Sequence, residues 1–159
     1  MDYQEFMRLF EQAQKSIFFL ILSIVRNKDD ADDVFQDTAL KACTSFKKLR
    51  DTNKFNSWLS KIAVTTAYDY VKKRKAHVDI ESVALPYYDS YRDEDEALRQ
   101  AMMTLEDQER TIVILKAVNG LRHKEIAGIV RRPEATVRTI YARAIKKLSD
   151  ILEQNGKEG

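Results

Sequence analysis

Apolar positions recur at intervals of three and four residues along most of the chain, and strict alternation persists nowhere. That period buries one face of a helix, so it predicts an all-α fold. Phe6, Leu9, Phe10, Ala13, Ile17, Leu20, Ile21 and Ile24 mark a first helix over about 2–26, and Phe18, Phe19 and Leu22 point to a second covered side. Asn27-Lys28 ends it, and Asp29 or Asp30 is the expected N-cap of the next helix. In that helix, DDADDVFQDTALKACTSF, Val34, the Leu40–Cys43 edges and Phe46 are expected to be buried, while Asp33, Gln36, Asp37 and Leu40 share one face. A third helix, over about 53–75 with Thr52 or Asn53 as cap, buries Phe55, Trp58, Leu59, Ile62, Ala63, Thr66, Tyr70 and Val71.

Period is lost over 77–93, a stretch with Pro86, three tyrosines and several acids that reads as a linker. Residues 94–104 then open a second domain, and three helices follow within 107–148. The first carries Ile112, Val113, Leu115 and Ala117/Val118 and stops at Asn119-Gly120, where a positive φ is easily taken. The second, about 122–130, buries Ile126, Ala127 and Val130. After Arg131-Arg132, Pro133 suits the first turn of a new helix, since it lacks only an N–H that has no partner there. The third helix has an apolar back (Val137, Tyr141, Ala144, Leu148) and a basic front (Arg138, Thr139, Ala142, Arg143, Lys146). A short helix, a tight turn and a longer helix with a basic front form the helix-turn-helix pattern for the DNA major groove.

An ordinary helical bundle with a solvated basic face is the plain alternative. Against it, residues 131–147 carry six Lys/Arg and the single acid Glu134, and small residues between the cations leave room for close approach to base edges. The net charge of +2 hides a segregation that says more than the total. Residues 1–76 are net +4, residues 77–97 net −6 and residues 98–159 net +4. The fold expected is therefore all-α, with two small helical domains joined by an acidic linker and a helix-turn-helix in the C-terminal one.

Other chemistry finds little support. The single cysteine, Cys43, has no internal disulfide partner and is expected as a buried cytosolic thiol. The mixed N-terminus MDYQEFMRLFEQ does not read as a signal peptide, and the apolar run 17–25 is far short of the ~20 residues of a membrane span. No membrane insertion, catalytic site or cofactor is expected: His77 and His123 lack metal-ligand spacing, and no paired carboxylates or nucleophile arrangement stands out. On the third helix, Lys54, Asn56, Lys61, Thr65, Tyr68 and the run Lys72–Lys75 lie off the buried stripe, a mixture suited to single-stranded DNA. Trp58 shares the apolar face and reads as core.

Three stretches together carry a resemblance. DDADDVFQDTALKA resembles the core-polymerase-binding helix of bacterial sigma factors, NSWLSKIAVTTAYDYVKKRK their promoter-melting helix, and RHKEIAGIVRRPEATVRTIYARAIKKL their C-terminal helix-turn-helix. Order, spacing and length match the small two-domain extracytoplasmic-function (ECF) type. The resemblance implies a cytoplasmic protein that directs core RNA polymerase, through clamp and flap contacts, to promoter DNA, with an anti-sigma factor as regulator. It assigns 1–76 to core binding and −10 melting and 94–159 to −35 recognition. Asp33, Gln36, Asp37 and Leu40 are implied as the core-binding group. Asn53, Lys54, Asn56, Ser57, Lys61, Thr65, Tyr68 and Lys72 are implied at the −10 element. Lys124, Arg132, Thr136, Arg138, Thr139, Ala142, Arg143 and Lys146 are implied at the −35 duplex.

The chain departs from the family pattern in places. Val64-Thr65 stand where Arg-Asn is common, Arg131 or Arg132 replaces a glycine before the recognition helix, and Arg122 replaces a Ser/Thr cap. Ile140 and Ile145, where Arg is frequent, join Ile151 and Leu152 in an apolar side of the last helix. A dimeric helix-turn-helix regulator acting without polymerase is the alternative from another class, and it leaves the N-terminal helices unexplained.

Overall fold

The computed structural model describes residues 1–75 and 93–158, and every regular element among them is a helix. The linker expected at 77–93, with His77, lies outside the described residues except for Asp93. Two compact units result, Met1–Tyr87 and Tyr88–Gly159.

Unit one contains α1 (Tyr3–Val25), α2 (Lys28–Ser45) and α3 (Phe55–Lys75), each packed on the other two. The Asp2 carboxylate caps α1 by accepting the Glu5 N–H at 2.8 Å. At the far end Arg26 takes the left-handed conformation (φ 62°) and its N–H closes on the Leu22 carbonyl at 2.8 Å. The cap of α2 is Asn27, whose side chain accepts the Asp30 N–H at 3.0 Å, so neither Asp29 nor Asp30 holds the role expected of it. The start of α3 also differs. Asp51 accepts the Asn53 N–H at 3.0 Å and sets a 3-10 turn over Thr52–Lys54, which delays the α-helix to Phe55.

The α1 stripe packs much as its period predicts, with Phe6, Ala13, Ile17, Leu20 and Ile21 buried and Leu9, Phe10 and Ile24 half-buried. Each fully buried Leu or Ile is worth about 1.5–3 kcal/mol. Phe6 joins the elements of this core: it stacks on Phe46 at 4.8 Å and meets Phe55 edge-on at 6.2 Å. On α2 the expected burial of the Leu40–Cys43 edges is wrong for both named residues, which are exposed. Ala31, Val34, Thr38 and Ala42 are buried instead. Thr38 enters the core because its hydroxyl donates to the Val34 carbonyl at 2.8 Å and so needs no water. On α3, Val64 and Ala67 join the core, while Trp58, Ile62, Tyr70 and Val71 are half-buried.

Unit two contains α4 (Asp93–Met103), α5 (Asp107–Ala117), α6 (His123–Val130) and α7 (Glu134–Glu158). Ala101, Leu105, Val113, Ala144 and Leu148 form a core against which Tyr141, Ile151 and Leu152 pack. Ile151 and Leu152 therefore belong to the domain's own interior, whereas Ile145 remains exposed. Glu109 reaches back to accept the Glu106 N–H at 3.1 Å, closing the first turn of α5. Arg110 is buried and satisfied, donating to the Leu105 carbonyl at 3.0 Å and pairing with Asp107 at 2.5 Å. Ala117 and Val118, expected inside, are exposed because α5 ends there and the chain turns through Gly120 at φ 72°. Ala127 and Val130 are only half-buried; Ile126 is the anchor of α6.

The α6–α7 turn places its positive φ at Arg131 and not at Arg132. Arg131 holds φ 58°, the left-handed conformation that glycine takes without strain. The Pro133 carbonyl accepts the Val137 N–H at 3.0 Å, so this proline stands just ahead of α7 and not within its first turn. Among the described residues no helix is long and apolar enough to cross a membrane, and no group of three or more His, Cys, Asp or Glu gathers to hold a metal.

Candidate nucleic-acid and partner interfaces

On α2, Asp33, Gln36, Asp37 and Leu40 are all exposed, Leu40 at 66 %. Their spacing places them on one side of the helix. Beside them lies a groove of about 310 Å³ lined by Phe6, Met7, Phe10, Gln36, Ala39, Leu40 and Cys43. Its wall is almost wholly apolar apart from the Gln36 amide. Sequence reading missed the α1 half of this surface. The available signal was Tyr3 and Met7, large apolar residues off the buried stripe, which are 56 % and 43 % exposed.

On α3, Lys61, Thr65, Tyr68 and Lys72 are exposed and follow one another at helical spacing along a single stripe. Asn53, Lys54 and Asn56 are exposed just ahead of them. Ser57 is half-buried, and its hydroxyl donates to the Lys54 carbonyl at 3.1 Å. Val64 faces the core and does not share this surface, whereas Thr65 does. Arg74, read in the sequence as part of a free basic run, is held by Asp30 at 2.6 Å. Tyr70 donates its hydroxyl to the same carboxylate at 2.6 Å. That hydrogen bond, reinforced by burial and the charges of Asp30 and Asp33, pushes the Tyr70 phenol up to about 12, so it stays a neutral donor.

On α7, Arg138, Thr139, Ala142, Arg143 and Lys146 are exposed and Thr136 is half-buried. Lys124 of α6 and Arg132 of the turn are exposed as well. Two of the six cations counted along 131–147 are engaged internally. Arg138 pairs with Glu134 at 2.7 Å, one turn back on the same helix. Lys147 donates to Glu109 at 3.0 and 3.1 Å and ties α7 to α5. Partial burial works to raise the Glu109 carboxyl, but the bonds from Lys147 and the Glu106 N–H prevail and hold it below its ordinary value. His123, at the start of α6, lies edge-on to Tyr141 at 5.7 Å between centroids. Desolvation, with the charges of Lys116 and Arg138, depresses its imidazole below the usual value of 6.5.

The chain thus pairs an acidic face beside an apolar groove with a cationic, aromatic stripe in one unit, and carries a cationic recognition-type helix in the other. Residues 9–77 match the family model for sigma-70 region 2, and residues 95–148 that for sigma-70 region 4. The RNA polymerase sigma factor SigV of Bacillus subtilis is 34% identical over 138 residues, covering 84% of this chain and 82% of that protein. The chain belongs to the sigma factors of bacterial RNA polymerase, and to their ECF type. The ECF RNA polymerase sigma factor SigM of Mycobacterium tuberculosis is 28% identical over 159 residues, covering 95% of this sigma factor and 79% of the relative. A sigma factor RpoE solved in complex with the anti-sigma factor NepR from Bartonella quintana shares the fold. Its TM-score is 0.80 at 22% identity, covering 94% of this chain and 98% of that one. This sigma factor accordingly directs transcription initiation by RNA polymerase.

Proposed function

We infer that the three surfaces divide the work of initiation. Asp33, Gln36, Asp37 and Leu40 dock on the clamp of core polymerase, with the neighbouring groove taking an apolar side chain of the partner. Asn53, Lys54, Asn56, Ser57, Lys61, Thr65, Tyr68 and Lys72 engage the melted −10 strand, where cations meet the backbone and Tyr68 offers a stacking surface. Lys124, Arg132, Thr136, Arg138, Thr139, Ala142, Arg143 and Lys146 lie along the −35 duplex. Residues 1–76 form the core-binding and melting domain, 77–93 the linker and 94–159 the −35 domain. The protein works in the cytoplasm without catalysing a reaction, since binding energy to the open strand offsets the cost of unpairing. An anti-sigma factor is its regulator.

One observation carries this reading: unit one presents acid and apolar groove on α2 and α1, and cations with an aromatic on the exposed stripe of α3. The acidic face repels phosphate, so it serves a protein partner, while the α3 stripe attracts nucleic acid. Asp33→Lys combined with Gln36→Ala is expected to weaken binding to core polymerase by an order of magnitude or more, roughly the effect of removing a charged anchor. Binding of the same variant to an isolated −35 duplex should not change. Equal loss of both affinities would contradict the assignment of that face.

A further inference from the structure

Asp30 does not cap α2, because Asn27 does, and its carboxylate is free to cross to α3. Both oxygens are used there. Oδ1 accepts the Tyr70 hydroxyl and Oδ2 accepts Arg74 Nη1, each at 2.6 Å. Tyr70 and Arg74 are one turn apart on α3, so the carboxylate grips a single side of that helix. The Arg74 and Asp30 side chains are only 19 % and 23 % exposed, which shields the pair from solvent screening. The buried residues of α2, which packs on both α1 and α3, are Ala31, Val34, Thr38 and Ala42, none larger than valine. Small side chains let helices approach closely but interdigitate little, so they define axial register weakly. Charge-assisted hydrogen bonds of fixed geometry supply what that surface lacks. Further along α2, Lys41 donates to Thr66 at 3.1 Å and adds a second crossing.

The position of the network gives it a role. Asp30 points to α3 one turn before Asp33, which is exposed on the face assigned to core polymerase, and Tyr70 and Arg74 flank in sequence Lys72, which is exposed on the stripe assigned to DNA. We propose that Asp30, Tyr70 and Arg74 are positioning residues that fix the register of the DNA-facing helix on the polymerase-facing helix, so that docking on core aligns α3 to open the promoter. This rests on the surface assignments made above. Arg74 is thereby a structural cation, withdrawn from the basic run that touches DNA.

The test uses the full-length protein with core polymerase and compares Asp30→Asn, Tyr70→Phe, Arg74→Met and Arg74→Lys. Core affinity is measured by competition, and strand opening by a fluorescent base on duplex and on pre-opened promoter templates. The expected result is unchanged core affinity, with opening of the duplex down roughly tenfold in Asp30→Asn and Arg74→Met. Tyr70→Phe should lose less, Arg74→Lys should recover part of the loss, and the pre-opened template should restore all variants. If Asp30→Asn opened DNA as well as the parent while Arg74→Met failed, Arg74 would be a direct DNA contact and the proposal would fall. It would also fall if core affinity dropped in step with opening, since the network would then merely support the α2 surface. Failure of the parent protein itself to open promoters with core would overturn the surface assignments instead, which keeps the two failures apart.

Discussion

Ser60 is buried on α3 with no hydrogen-bond partner for its hydroxyl among the described residues. An unpaired hydroxyl in the interior costs roughly 1–3 kcal/mol, and alanine is also the better helix former. Ser60→Ala is therefore expected to stabilise the protein by about 1 kcal/mol, read as a higher midpoint in urea unfolding; a loss of stability would reveal a partner for that oxygen. His123 makes a pH-dependent contribution through desolvation and not through an ion pair. Its imidazole is depressed below 6.5 in the fold by desolvation and by Lys116 and Arg138, so the unfolded chain binds the proton more readily. The stability it lends is complete above about pH 6.5 and is lost as pH falls through the lower folded value. His123→Phe, which keeps the contact with Tyr141, should flatten the decline in stability below that pH in the full-length protein. An unchanged acid slope would contradict the desolvation account.

At the scale of the element, α7 shows how much of a basic face is available to DNA. Arg138 is partly neutralised by Glu134, whereas Arg143 and Lys146 have no such neighbour one turn back. Arg143→Ala is expected to cost about 1–3 kcal/mol on a cognate −35 duplex, with relaxed specificity at the position it reads. Glu134→Gln, by releasing Arg138, should strengthen non-specific duplex binding and steepen its salt dependence, measured by anisotropy across salt concentration; no change in slope would mean that Arg138 stays off the phosphates. Periodicity made such faces legible beforehand: Val137, Ala144 and Leu148 are buried behind the basic front, with Tyr141 packed beside them as the spacing implied. It failed where side chains satisfy themselves locally. Thr38 bonds to its own helix and takes an interior place that Leu40 and Cys43 were expected to fill. Caps slipped for a related reason, because Asn27 and Asp51 compete with nearby residues of equal capping propensity and only the backbone geometry decides.

At the scale of the molecule, the division into helical units around distinct apolar cores was readable from period and from the loss of period between them. The surface proposed for the polymerase partner was half readable. Asp33, Gln36 and Asp37 stood out by spacing, but the groove beside them depends on two helices meeting, which no single stretch encodes. Likewise the pairing of Arg74 with Asp30 emerges only when α2 and α3 are side by side, since in the sequence Arg74 is one cation among four. The most direct measurement of the whole account is run-off transcription from genomic promoter fragments with bacterial core polymerase, with and without this protein. The account predicts specific initiation that requires the protein, falls strongly with Asp33→Lys/Gln36→Ala and weakens with Arg143→Ala. A protein that binds duplex DNA yet neither joins core nor starts a transcript would contradict it.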